Sequence, residues 1–291
     1  MLPPPQHLST FAIRMVAMRS PNEQATLDDA AEFPIPCAKH TTSVVHHMAK
    51  PVPNPRDLAS VKALLFDVFG TLVDWRSGVA READAILAPL GVKVDPLAFA
   101  DAWRAQYQPA MNEVRSGRIP FCKLDVLHRR NLDAVLASLG LEQLDEAARL
   151  RLNLAWHRLD AWPDVAGGLA RLRNRYLLAP CSNGNVSLMV DLARRNGFPW
   201  DAILGAEIAR DYKPKAIVYR ASAAALDCEP HEAMMVAAHT SDLVAAARAG
   251  LRTAFVARPD EFAAGGAETA PGAPVDIAVS SLVELAERLG C

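Results

Sequence analysis

A chain of 291 residues, 51% hydrophobic and 22% charged, is long enough for a sizeable core and has the composition of an ordinary globular protein. Its net charge of −2 supplies no basic footprint for nucleic acid, and no apolar stretch is long enough to cross a bilayer. Five cysteines, Cys37, Cys122, Cys181, Cys228 and Cys291, are odd in number and form no CxxC pair, which fits a reducing, cytoplasmic compartment better than a disulfide framework.

Residues 1–60 stand apart. They hold nine of the 21 prolines, and "PPP", "FPIP" and "PVPNP" interrupt any regular element. They read as a disordered or loosely attached extension. The first twenty residues contain Arg14 and Arg19 and no acid. They lack a basic region followed by an apolar one, so no secretory signal is expected, and a transit peptide is the weaker reading beside a cytoplasmic protein. Met48 opens "MAKPVPNP" and is an alternative natural start.

From residue 61 short apolar runs alternate with helical stretches. The expected strands are "ALLFDV" (63–68), "YLLAPCS" (176–182), "AILGA" (202–206), "MMVAAH" (234–239), "TAFVA" (253–257) and "DIAVS" (276–280). Runs this continuously apolar belong to strands covered on both faces. Helices are expected over 164–175, 185–196, 215–227, 241–249 and 281–289. The alternation predicts an α/β fold, a parallel sheet with helices on both faces. Between residues 76 and 161 the pattern is helical throughout: "SGVAREADAILAPL", "PLAFADAWRAQYQPAMNEVRSG", "LDVLHRRNLDAVLASLG" and "DEAARLRLNLAWHRLD", with Gly91, Gly117 and Gly140 as stops. The expected organisation is therefore an extension at 1–60, a core built from 61–75 and 162–291, and an inserted α-helical cap at 76–161.

In an open parallel sheet, ligands bind beyond the carboxyl ends of the strands. The residues found there are Asp67 and Thr71 after the first strand, and Ser182, Asn183 and Gly184 after the second. Lys213 and Pro214 come after the third, and His239, Thr240, Ser241 and Asp242 after the fourth. Each has an ordinary reading: a turn residue, a helix cap, a lysine before a helix that begins with proline, an acid at the positive end of a helix dipole. Four caps do not require this set of charges in this order on one edge.

Those segments resemble the haloacid dehalogenase superfamily: "DVFGT" its first motif, "SNG" its second, "KP" its third, and the His239–Asp242 stretch its fourth. The resemblance covers residues 61–291. Within the superfamily it is strongest to the L-2-haloacid dehalogenases, through the aromatic two places after Asp67, "WR" at 103–104, "SNG" at 182–184, and Tyr219 six residues after Lys213. It implies a Rossmann-like core with a helical cap. The fourth motif departs from the family's Ser-Ser-Asn-x-x-Asp: it reads "AAHTSD", with Ala237 and His239 at the first Ser and the Asn.

Phe69 separates two chemistries. In the superfamily's phosphatases this position usually carries a second aspartate, which protonates the leaving alkoxide. Phenylalanine has no proton to give. A halide needs none, because it departs as a stable anion and requires only a receiver and an apolar wall. The expected reaction converts short (S)-2-haloacids to (R)-2-hydroxyacids. Asp67, ionised because a free aspartate has a pKa of about 3.9 and kept so by Lys213, attacks C2. An ester forms, halide leaves, and water frees Asp67.

The resemblance assigns the remaining parts. Thr71 holds the nucleophile loop. The backbone N–H groups of Val68 and Phe69, with Ser182 and Asn183, bind the substrate carboxylate. Arg104 reaches down from the cap to receive the halide, Asp242 pairs with Lys213 and helps position water, and Tyr219 lies at the substrate site. His239 is a base, a halide donor or a rim histidine. No metal or other cofactor is expected, the partners are the haloacid and halide, and a homodimer is left open. The competing readings are a phosphatase or phosphomutase of the same superfamily and a non-catalytic scaffold that binds a small anion.

Overall fold

The structure, a computed structural model, describes residues 58–263 and 265–291. Residues 58–60 form a short 3-10 turn; the expectation of a loosely attached extension otherwise falls on residues outside those described. The first strand, β1 (Ala63–Phe66), is buried at every position. Leu64 and Phe66 join one apolar cluster, and Ala63 and Leu65 join another. The strand is thus covered on both faces, and its run of apolar residues has no polar alternation to show.

After β1 the chain forms β2 (Val73–Asp74) and then enters a run of helices: α1 (Trp75–Leu87), α2 (Pro96–Ala105), α3 (Tyr107–Arg115), α4 (Leu124–Ser138) and α5 (Glu146–Asn153). It returns through β3 (Asp160–Ala161), which pairs antiparallel with β2. The helical block therefore leaves and rejoins the sheet through one two-stranded ribbon. We propose that this block, residues 76–161, is the cap. No strand is expected there from sequence; β3 occupies its last two residues, too few to show a period. The stretch expected to be helical over 96–117 is broken at Gln106. Pro109 has no N–H to offer the carbonyl of Ala105 four residues back, so α2 ends at Ala105 and α3 begins with Pro109 in its first turn.

The chain then runs α6 (Val165–Leu172), β4 (Leu177–Ser182), α7 (Val186–Asn196), β5 (Leu204–Gly205) and the single-turn α8 (Ala206–Ala209). It continues through α9 (Ala216–Ala224), β6 (Ala233–Ala237), α10 (Thr240–Arg248), β7 (Arg252–Val256), β8 (Ile277–Val279) and α11 (Leu282–Arg288). The six core strands pair in the order β5-β4-β1-β6-β7-β8, every pair parallel. From β1 the chain builds first toward β5 and then, from β6, toward β8. The order reverses at β1, which opens a crevice at its carboxyl end. Asp67 is the next residue.

Gly205, at the end of β5, has φ +117° and ψ −142°, a region open in practice only to glycine. A Cβ there would stand 2.2 Å from the Ser182 carbonyl oxygen and 2.6 Å from its nitrogen. Gly205→Ala should therefore cost about 2–3 kcal/mol of unfolding free energy in urea melts. It should also disturb the adjoining Asn183.

Candidate active site

The turn after β1 is fixed by backbone chemistry. Asp67 N–H donates to the Val236 carbonyl at 3.0 Å, which ties this residue to β6. Gly70 turns the chain at φ +82°. Thr71 Oγ1 donates to Asp67 Oδ2 at 2.7 Å and accepts from Ala238 N–H at 3.0 Å. Arg258, which the sequence reading did not single out, donates to the Thr71 carbonyl at 2.8 Å and pairs with Asp164 at the start of α6.

Four segments then converge. Lys213 Nζ donates to Asp67 Oδ1 at 2.8 Å and to Asp242 Oδ2 at 2.5 Å. Its backbone N–H donates to Asn183 Oδ1 at 2.9 Å. Tyr219 donates its hydroxyl to Asp242 Oδ1 at 2.5 Å. His239 sets Nδ1 3.2 Å from Asp67 Oδ2 and Nε2 3.0 Å from both carboxylate oxygens of Glu261. Trp75 Nε1 donates to Glu261 Oε1 at 3.1 Å.

The charges follow from this packing. Burial by itself would raise the Asp67 carboxyl, but the Lys213 ammonium and the His239 imidazole outweigh it and hold the group well below the usual carboxylate range. Burial likewise opposes charge on Lys213, and Asp242 and Asp67 overcome it, so its pKa is raised. His239 is pushed up to about 10: burial lowers it, and the hydrogen bonds to Asp67 and Glu261 more than compensate. Burial and the neighbouring Asp242 carboxylate keep Tyr219 protonated.

Above these groups lies a cavity of about 1210 Å³, lined from the core by Asp67, Phe69, Asn183, Lys213, His239 and Asp242 and from the helical block by Arg104, Tyr107 and Arg115 among others. Phe69 stands edge-on to Tyr107, His128 and Trp156. Arg104 lays its guanidinium 4.1 Å from the centre of the Tyr107 ring and 5.2 Å from that of Trp75. Its Nη1 is buried with no hydrogen-bond partner among the described residues. A guanidinium held by two aromatic faces and short of an acceptor is a site for an anion.

Of the residues expected at the site, Asp67, Phe69, Arg104, Asn183, Lys213, His239 and Asp242 face this cavity. Thr71 and Tyr219 stand behind it, each bonded to one of the carboxylates. Val68 is buried and its side chain is not part of the lining. Ser182 is not brought to the cavity: it is fully buried, and its Oγ accepts from Gly184 N–H at 3.0 Å, shaping the turn that presents Asn183. Glu261 was missed. It lies past β7 in a stretch without periodicity, and the only available signal was the rule that strand carboxyl ends carry function. Among the described residues, no group of three or more His, Cys, Asp or Glu is arranged to hold a metal ion, and no helix is long and apolar enough to cross a membrane.

Comparison with known proteins agrees with this geometry. The family model for haloacid dehalogenase-like hydrolases matches residues 61–250. The (S)-2-haloacid dehalogenase 4A of Burkholderia cepacia is 29% identical over 232 residues, spanning 78% of this chain and 94% of that protein. Among solved structures, a defluorinating L-2-haloacid dehalogenase superposes with a TM-score of 0.78 at 44% identity, covering 79% of this chain and 96% of its own. The L-2-haloacid dehalogenase of Xanthobacter autotrophicus with chloropropionic acid covalently bound gives a TM-score of 0.66 at 25% identity, covering 79% and 98%.

The raised His239 pKa makes a statement about stability. The folded state holds that proton more tightly than the unfolded chain, so the contribution is complete below pH 6.5 and is lost as pH rises toward about 10. The lowered Asp67 contributes throughout this window, since its loss lies below 3.8. Lys213 is lost only above 10.5. Urea unfolding at increasing pH should show stability declining across the window, with a shallower decline in His239→Gln. An equal decline in the two proteins would contradict the assignment.

Proposed function

The chain belongs to the haloacid dehalogenase-like hydrolases, and from that premise we propose that it hydrolyses short (S)-2-haloacids to (R)-2-hydroxyacids through an ester on Asp67. The observation that carries the reading is the surroundings of Asp67. It is a buried carboxylate held ionised by Lys213 and facing a cavity, with an aromatic ring rather than an acid two residues on.

The steps follow from these groups. Asp67 attacks C2 from the side opposite the halogen, so one displacement inverts that centre. Water then enters at the ester carbonyl, and the configuration at C2 is not touched again. The substrate carboxylate is met by Asn183 and by the N–H groups of Val68 and Phe69, which have no acceptor among the described residues. The halide moves toward the unpartnered Nη1 of Arg104, with Phe69 and Tyr107 as an apolar wall that leaves the anion no better partner. Lys213 prevents Asp67 and Asp242 from sharing a proton, and Tyr219 fixes the second oxygen of Asp242. Four described cysteines, all free, fit a reducing cytoplasmic setting.

The phosphatase reading is disfavoured by the donor set. Mg²⁺ asks for oxygen ligands that include one or two carboxylates. Asp67 already accepts from Lys213 on one oxygen and from Thr71 and His239 on the other. Asp242 accepts from Lys213 and Tyr219. An ion placed between them would stand against an ammonium and an imidazolium.

The test is halide release from the two enantiomers of 2-chloropropionate, beside phosphate release from a generic ester. The (S) acid should react and the (R) acid should not, with activity unchanged after EDTA and unstimulated by Mg²⁺. Asp67→Asn should lose steady-state turnover and remain folded. Activity restored by Mg²⁺ with phosphate esters as the better substrates would overturn the reading.

A further inference from the structure

The ester proposed on Asp67 must be hydrolysed, and the residues discussed so far account for its formation better than for its breakdown. On that reading, we propose that His239 and Glu261 act as a dyad in the second half of the reaction. His239 takes the proton from the attacking water, and Glu261 is the positioning residue that sets the ring.

Three observations support this. First, His239 is the one imidazole lining the cavity, and its Nδ1 lies 3.2 Å from Asp67 Oδ2. A water standing over the ester carbon is therefore within reach of that nitrogen. Second, the other nitrogen is fixed: Nε2 is 3.0 Å from each oxygen of Glu261. Glu261 is only 2% exposed, and among the described residues its side chain has no cationic partner except His239. Burying a carboxylate beside one cationic partner is costly, and Trp75 Nε1 adds a further fixed donor. Third, Glu261 lies directly over the nucleophile loop. A Cβ on Gly70 would come 2.0 Å from Glu261 Oε1, so the carboxylate fills the space that a side chain at position 70 would take.

The proton balance closes. In the resting enzyme His239 is an imidazolium between two anions, Asp67 and Glu261, with Lys213 and Asp242 beyond Asp67 and Arg104 facing the same cavity. Attack on C2 forms the Asp67 carbon–oxygen bond, breaks the carbon–halogen bond and releases halide. The ester is neutral, so one of the two anions that held the imidazolium proton is gone. That proton leaves as the net acid of the reaction, and neutral His239 faces the ester. Water adds to the ester carbonyl and gives its proton to Nδ1. The tetrahedral intermediate expels the 2-hydroxyacid alkoxide, which takes the proton from His239. The Asp67 acid then passes its own proton to the imidazole, restoring the resting ion pair. The sum is haloacid plus water to hydroxyacid, halide and a proton.

The test separates the two halves of turnover. His239→Gln keeps a side chain that donates to Asp67 but is no base. With (S)-2-chloropropionate it should release halide in a burst of one equivalent per site and then turn over about 100-fold or more slowly, the scale of general acid–base catalysis. The intact mass should rise by one 1-carboxyethyl group, and peptide mapping should place that ester on Asp67. Glu261→Gln, which keeps an acceptor for Trp75, should leave KM within about twofold and slow ester hydrolysis about 10-fold or more in rapid-quench experiments. It should also move the ascending limb of the hydrolysis–pH profile to lower pH, because the anion that raises the imidazole is gone. Loss of turnover in folded His239→Gln without burst or adduct would overturn the proposal and move His239 to the first half. So would a Glu261→Gln variant with unchanged hydrolysis rate and pH limb. A wild-type enzyme that releases no halide at all would instead overturn the dehalogenase reading itself.

Discussion

The site depends on one buried ammonium placed between two carboxylates, Asp67 and Asp242. Lys213 bonds Asp67 and Asp242 at once, and both partners are about as buried as it is. Without it, two carboxylates close together in a water-poor site would share a proton, and the attacking group would be a neutral acid. With it, Asp67 stays an anion at any physiological pH, and Lys213, Thr71 and His239 supply it with fixed hydrogen bonds inside the protein. A carboxylate desolvated in this way is a better nucleophile than a hydrated one, and the fold holds it ready before substrate arrives.

Holding Lys213 in place engages much of the core. Its backbone is fixed by Asn183 after β4, its ammonium by acids after β1 and at the start of α10, and Asp242 in turn by Tyr219 of α9. These elements come from both sides of the point where strand order reverses, so the crevice at β1 and the charge network occupy the same place. The helical block adds what the sheet cannot: a guanidinium seated on Tyr107 and Trp75 and an aromatic wall around Phe69. Asp67 and Arg104, the proposed nucleophile and halide receiver, are thus carried by different layers and line the same cavity.

Much of this was legible in sequence because the physics is local. β1 reads as an unbroken apolar run because both its faces are covered, and Asp67, Asn183, Lys213 and Asp242 each follow directly on a strand or short turn. The orientation of side chains was not legible. Ser182 and Asn183 are adjacent and equally polar, and only the bond from Gly184 N–H to Ser182 Oγ determines that the serine turns inward. The break between α2 and α3 depends on one missing donor at Pro109, which a helical period alone overlooks. Glu261 was invisible for a different reason: its partner His239 lies in another segment, and nothing in the polar stretch around it distinguishes a buried carboxylate from a solvated one.

Under the proposed mechanism, an oxygen of Asp67 forms the new bond to C2. Repeated turnover of (S)-2-chloropropionate in ¹⁸O-water, followed by mass analysis of the peptide containing Asp67, tests this directly. If Asp67 forms the ester and water attacks its carbonyl, heavy oxygen accumulates in the Asp67 side chain, and the hydroxyacid formed in the first turnover carries ordinary oxygen from the enzyme. Heavy oxygen in the hydroxyacid of a single turnover, with none in Asp67, would mean that water attacks C2 itself and would contradict the account.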